Sequence, residues 1–124
     1  MVDVKTKLSA LWVAHMLSTT HADVLRLYDP EGAFSGVQIT HDFMLVSAIT
    51  MVTTIFMVVL SLTLKDKANR RANIIVGILW VAYDLMFLSS TLASPAYEIF
   101  YGIVYLIFSA LIVWHAWKWP IQEA

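Results

Sequence analysis

The sequence predicts an all-α integral membrane protein, a four-helix bundle running up-down-up-down with both chain ends in the cytoplasm. Three observations predict it. The 124 residues are 60% hydrophobic and 14% charged, with a mean hydropathy of +0.73. A soluble domain carries about 45–50% apolar and about 25% charged residues, and so short a chain cannot enclose that much apolar surface in one core. Charges divide the chain into four apolar stretches, each near the roughly 20 residues that cross about 30 Å of hydrocarbon. Finally, the basic residues gather on one side of those stretches.

The first stretch covers residues 8–27. Its second half holds Thr19, Thr20, His21, Asp23 and Arg26, a poor apolar region with no small-residue cleavage pattern, so it is expected to be a retained helix and not a cleaved signal. The second, residues 43–64, has no charge, while the third (72–93) and the fourth (96–117) each contain one acid. Tyr28 to Thr40 is the longest connection and opens on Asp29-Pro30-Glu31-Gly32, a turn with proline pre-set at its second position. Lys65 to Arg71 is expected to be a tight basic loop. Ser94-Pro95 closes the third helix and opens the fourth, where a proline is tolerated. The length leaves room for this single membrane domain.

Seven of the eight Lys and Arg residues fall on one side: Lys5, Lys7, Lys65, Lys67, Arg70, Arg71 and Lys118. That side is expected to be cytoplasmic, which places the chain in the inner (cytoplasmic) membrane with Asp29, Glu31 and Asp42 outside. Trp114, Trp117 and Trp119 crowd the end of the fourth helix, where indole rings favour the interface. The absence of cysteine excludes disulfides and thiol chemistry. A net charge of −1 argues against nucleic acid as a partner. The expected partners are the lipid bilayer and a second copy of the chain.

Ionisable groups within a span are costly and face a bundle interior or a hydrated cavity. On the first helix His15, Thr19, Asp23 and Arg26 share a face, with His21 on the other side. Asp23 and Arg26 are three apart and can pair locally. Asp84 lies roughly 13 Å from the outer end of the third helix, at 1.5 Å per residue. It shares a face with Asn73, Gly77, Trp80 and Thr91, and His15 or Tyr105 is its expected partner. Glu98, Tyr101, Gly102, Tyr105 and Ser109 form a seam on the fourth helix, with Glu98 in the first turn, where the helix dipole favours an acid. Ser47, Thr50, Thr54 and Ser61 make a row suited to close helix packing, with Met51, Val58 and Val59 expected to meet lipid or an oligomer partner. Asp23, Arg26, Asp84, Glu98 and Tyr105 would then line an outward-facing funnel closing near His15, the inner half holding only His115 and the packing serines.

The chain also resembles an uncharacterised family of small four-span bacterial and archaeal membrane proteins. The residues that carry the resemblance are Lys5-Thr6-Lys7-Leu8-Ser9-Ala10-Leu11-Trp12, Ala22-Asp23-Val24-Leu25, Asp29-Pro30, Leu60-Ser61, Asn69-Arg70-Arg71-Ala72-Asn73-Ile74-Ile75 and Ala116-Trp117-Lys118-Trp119. The resemblance implies a four-helix membrane fold and brings no catalytic residue. The size is similar to that of small multidrug-resistance exporters, but their pattern centres on a glutamate midway along the first helix, where this chain has His15. Four-helix proteins associated with quinone oxidoreductases are similar in fold only.

Three functions compete. A transporter or small-ligand binder would work as a homodimer and use Asp84 and His15 as a proton-linked pair. An assembly subunit would use the same polar seam for packing alone. A haem- or quinone-linked redox protein comes third, because His15, His21, His41 and His115 sit at discordant depths for two axial ligands. No residues recur at metal-ligand spacing, and no nucleophile motif is present, so neither a metal nor another cofactor is expected.

Overall fold

The computed structural model describes residues 3–30 and 40–119. It contains α1 (Val4–Leu27), α2 (His41–Thr63), α3 (Asp66–Ser90) and α4 (Ala96–Trp117), with no strand among the described residues. Each start has a local cause. Asp3 caps α1 by accepting from the Thr6 amide at 2.8 Å, and that bond holds its carboxyl below the usual carboxylate range. Thr40 caps α2 in the same way, accepting from the Phe43 amide at 3.1 Å. Pro95 stands at the N-cap of α4, with Glu98 in the first turn.

Residues 66–71 form the first turns of α3 and not a loop. Leu64 and Lys65 adopt extended backbone and reverse the chain between them, so the basic residues ride on helix that continues past the apolar stretch. At its other end α3 stops at Ser90, and the turn through Ser94 precedes Pro95. The part of the expected Asp29-Pro30-Glu31-Gly32 turn that begins at Glu31 lies outside the described residues.

The four helices form an up-down-up-down bundle, with α1 packed against α2 and α4, and α3 against α4. The hydrogen bonds show the directions. Ser9 near the start of α1 donates to the Val58 carbonyl near the end of α2 (3.0 Å), and Arg70 near the start of α3 donates to the Ala116 and Trp117 carbonyls ending α4 (3.1 Å each). Arg70 thus satisfies carbonyls that a helix C-terminus leaves without partners. This basic end also holds the apolar core of Leu8, Trp12, Met57, Ile112, Ala116 and Trp119. Trp114 and Trp117 are exposed as interfacial residues would be, but Trp119 turns inward and is 8% exposed.

Three helices, α2, α3 and α4, are long and apolar enough to cross a membrane. α1 has the length but carries Lys5, Lys7, Asp23 and Arg26. Most large apolar side chains of α2 lie on the bundle's outside, including Leu45, Ile49, Phe56 and Val59. In a membrane this is the arrangement that the solvent demands. Met51 and Val58 depart from the expected lipid-facing set: both are half-buried, Val58 packs on the core, and the Met51 sulfur accepts from Thr19 of α1 at 3.7 Å. Only Val59 of the three is exposed, because the side of α2 that meets α1 is broader than the serine–threonine row.

Candidate functional site

Helix geometry sets the site. His15 projects from α1 toward α3 and Arg26 toward α4, with the half-exposed Asp23 beside Arg26, and Glu98 and Tyr105 project from α4 toward α1. Asp84 comes from α3, whose close approach to α4 depends on two glycines. A β-carbon on Gly77 would stand 2.8 Å from the Val113 side chain and 3.3 Å from that of Ile112. One on Gly102 would stand 3.0 Å from Leu88. All three distances are shorter than ordinary contact, so the small residues decide how deeply α3 and α4 interlock.

At the centre, His15 Nε2 lies 2.9 Å from Asp84 Oδ2, and the two side chains are 2% and 1% exposed. Of the two partners considered for Asp84, His15 is the one in contact. Whether written as imidazole with carboxylic acid or imidazolium with carboxylate, the pair is neutral as a unit, which is what burial requires. The Tyr105 ring packs on His15 at 5.7 Å between centroids and on Phe87 at 5.4 Å.

Nearer the end of α1, Arg26 Nε donates to Glu98 at 2.6 Å and Nη1 to Asp23 at 2.5 Å. The guanidinium stands over the Phe87 ring, 5.5 Å from its centroid. Its side chain is 11% exposed, that of Glu98 14% and that of Asp23 49%. The local i,i+3 pair is therefore one arm of a three-residue bridge that ties α1 to α4. Tyr97 donates to Asp29 beside it.

Three buried polar atoms in this region have no hydrogen-bond partner among the described residues: His15 Nδ1, Tyr105 OH and Arg26 Nη2. Leaving such a group unsatisfied costs about 1–3 kcal/mol. Each of the three retains capacity for a further hydrogen bond.

The packing row divides. Thr54 and Ser61 are buried at 3% and 0% exposure, while Ser47 and Thr50 are half-buried, with the Thr50 hydroxyl bonded back to the Ser47 carbonyl at 2.8 Å. Ser61 does more than pack. It donates to Asn73 Oδ1 at 3.2 Å, which also receives Trp12 Nε1 at 2.8 Å, and Asn73 Nδ2 donates to Asn69 Oδ1 at 2.7 Å. Asn69 Nδ2 closes the network on the Ser61 carbonyl at 2.8 Å. The basic end thus contains a buried amide network in addition to His115 and the packing serines. Its signal was the spacing Asn69, Asn73, Gly77, one face of α3 at successive turns. The contact of His21 Nδ1 with Tyr101 OH at 2.7 Å links residues 80 apart, and no local pattern announces it.

No group of three or more His, Cys, Asp or Glu residues placed to hold a metal occurs among the described residues. Fold and site together define a small all-helical bundle of the membrane-crossing type with a buried histidine–carboxylate pair between its helices. The chain belongs to a family of unknown function, DUF6326, whose family model matches residues 2–124. No curated protein and no solved structure matches it significantly.

Proposed function

We propose that this protein is a multi-pass protein of the cytoplasmic membrane that binds or transports a small ligand through the polar region between Arg26 and His15. In this reading all four helices span the bilayer, α1 included, because Arg26 is turned into the bundle and paired with Glu98, while the half-exposed Asp23 is paired with Arg26 near the helix end. Both termini are cytoplasmic by the distribution of basic residues. Reporter fusions after Lys67 and Glu123 are expected to read cytoplasmic, and one after Glu31 external. An external signal after Lys67 overturns the topology.

The observation that carries the functional reading is the buried His15–Asp84 contact together with His15 Nδ1, Tyr105 OH and Arg26 Nη2, buried atoms without a hydrogen-bond partner among the described residues. A ligand that hydrogen-bonds to Tyr105 or His15 and changes how firmly the pair holds its proton makes the pair take up or release a proton on binding, and so couples binding to pH. Four helices give little space for alternating access within one protomer, which favours a homodimer. The test is bound-ligand mass spectrometry on the purified protein, followed by ligand binding or uptake in proteoliposomes as a function of pH. Asp84→Asn is expected to leave the protein folded and abolish the pH dependence. Unchanged pH dependence in that variant removes the proton-linked role.

A second reading, a non-catalytic assembly subunit, has its own support. The Asn69–Asn73–Ser61–Trp12 network is fully paired and serves packing alone. If the whole polar seam works that way, Asp84→Asn behaves like the parent in every assay.

A further inference from the structure

The basic end of the bundle carries a charge imbalance that its own side chains leave standing. Lys5, Lys7, Lys65, Lys67, Arg70, Arg71 and Lys118 gather there against two acids among the described residues, Asp3 and Asp66. Both acids are engaged, Asp3 by the Thr6 amide and Asp66 by Lys5 at 3.2 Å. Clustered like charges repel one another and attract counter-ions. Where α3 begins and α4 ends, two of these cations are held against indole rings. Arg70 Nε and Nη2 donate to the Ala116 and Trp117 carbonyls, and its guanidinium lies over the Trp117 ring, 6.0 Å from the centroid. Lys118 Nζ stands 4.6 Å from the centroid of the Trp114 ring. Both indoles are exposed, Trp114 at 56% and Trp117 at 64%.

We infer that this corner of the bundle binds the phosphodiester headgroup of an anionic phospholipid, with Arg70 and Lys118 as its cationic partners. The two bonds from Arg70 to carbonyls use only part of its donor set, and both hydrogens of Nη1 remain for an anion. Those same bonds cover carbonyls at the end of α4 that would otherwise repel negative charge. A lipid fits better than a free phosphate because the cations stand at the end of an apolar track. Ile107, Leu111 and Trp114 are exposed on one face of α4 at spacings of four and three, and Lys118 follows four residues on. An acyl chain lies along the first three while its headgroup reaches Lys118. Interfacial indoles beside basic residues, at the surface where anionic lipids concentrate, complete the setting. The site rests on the membrane reading, but not on the ligand-binding role of the interior cluster.

The probe is an equal mixture of phosphatidylglycerol and phosphatidylcholine with identical acyl chains, in nanodiscs that carry the full protein. After gentle extraction, native mass spectrometry reads the lipids retained. The parent is expected to retain phosphatidylglycerol several-fold over phosphatidylcholine, and Lys118→Gln and Arg70→Gln to lose most of that preference. Lys67→Gln removes the same charge from the same end, outside the site, and is expected to keep it. The Lys118 side chain is exposed, so that variant decides even if loss of Arg70 unfolds the bundle. An even ratio on the parent overturns the site. Equal losses in Lys67→Gln and Lys118→Gln overturn it too, because they mean a diffuse field and not a site. Displacement of the bound lipid by inorganic phosphate, but not by chloride at equal ionic strength, overturns the lipid as occupant. Incorporation into the nanodiscs reports spanning separately, so failure of the site and failure of the membrane reading are distinguishable.

Discussion

At the basic end of the bundle, both polar atoms of the Asn69 and Asn73 side chains are bonded, and they draw in Trp12 and Ser61. From the centre toward the opposite end the polar side chains are less uniformly buried and incompletely paired: His15, Tyr105 and Arg26 each keep one atom without a partner among the described residues. The two regions lie along the same helices, so composition and propensity do not separate them. What separates them is closure of the hydrogen-bond network. A closed network specifies packing, whereas an open one retains capacity for another molecule or for a moving proton.

The comparison breaks most visibly at Asp84. Asp84→Leu leaves His15 buried without its partner and is expected to destabilise by about 3–5 kcal/mol, as for other broken buried pairs, read as a lowered unfolding midpoint in mild detergent. Loss below 1 kcal/mol would mean that the pair is hydrated and not structural. At the other end, Asn73→Leu strands Trp12 Nε1 and part of Asn69, and about 1–3 kcal/mol is expected for each group left unsatisfied. This variant is expected to keep ligand binding per folded molecule, and a selective loss of binding would erase the distinction between the ends.

Two packing variants sharpen the picture without replacing a residue of either network. Gly77→Leu forces α3 away from Val113, and Thr54→Leu overfills the α1–α2 contact. Each is expected to cost about 1–3 kcal/mol, the usual range for overpacking, with Gly77→Leu also loosening the His15–Asp84 contact because Asp84 rides on the displaced helix. Unaltered thermal midpoints for both would place these residues against lipid.

Tyr105→Phe gives the subtlest and most discriminating result. The hydroxyl it removes lies beside the Arg26 guanidinium but makes no hydrogen bond of ordinary geometry among the described residues, so stability is expected to change little, while ligand affinity or its pH dependence falls. A clear destabilisation would mean that the hydroxyl is bonded and the distal network closed. The smallest effect is expected at the half-exposed Lys5–Asp66 pair, 3.2 Å apart, where Lys5→Ala costs about 0.2–1 kcal/mol and less at high salt.

The sequence by itself determined the element count and their order, because four long apolar runs between charges leave the backbone one economical solution in lipid. It also marked Asp84, His15, Asp23, Arg26 and Glu98, since a charge in an apolar run stands out whatever the fold. At Lys65–Arg71 the run of charge points to a loop, whereas Asp66 and the residues after it continue α3 beyond the apolar run. Partner choice was a different matter. Asp84 with His15, Arg26 with Glu98, Trp12 with Asn73 and His21 with Tyr101 join residues 61 to 80 positions apart. Helical periodicity fixes which face a side chain occupies, but the rotation and interlocking of neighbouring helices fix what it meets. Those depend on how deeply Gly77 and Gly102 let α3 and α4 approach. Only the tertiary structure decided that, because the depth of contact is set by side chains from both helices at once.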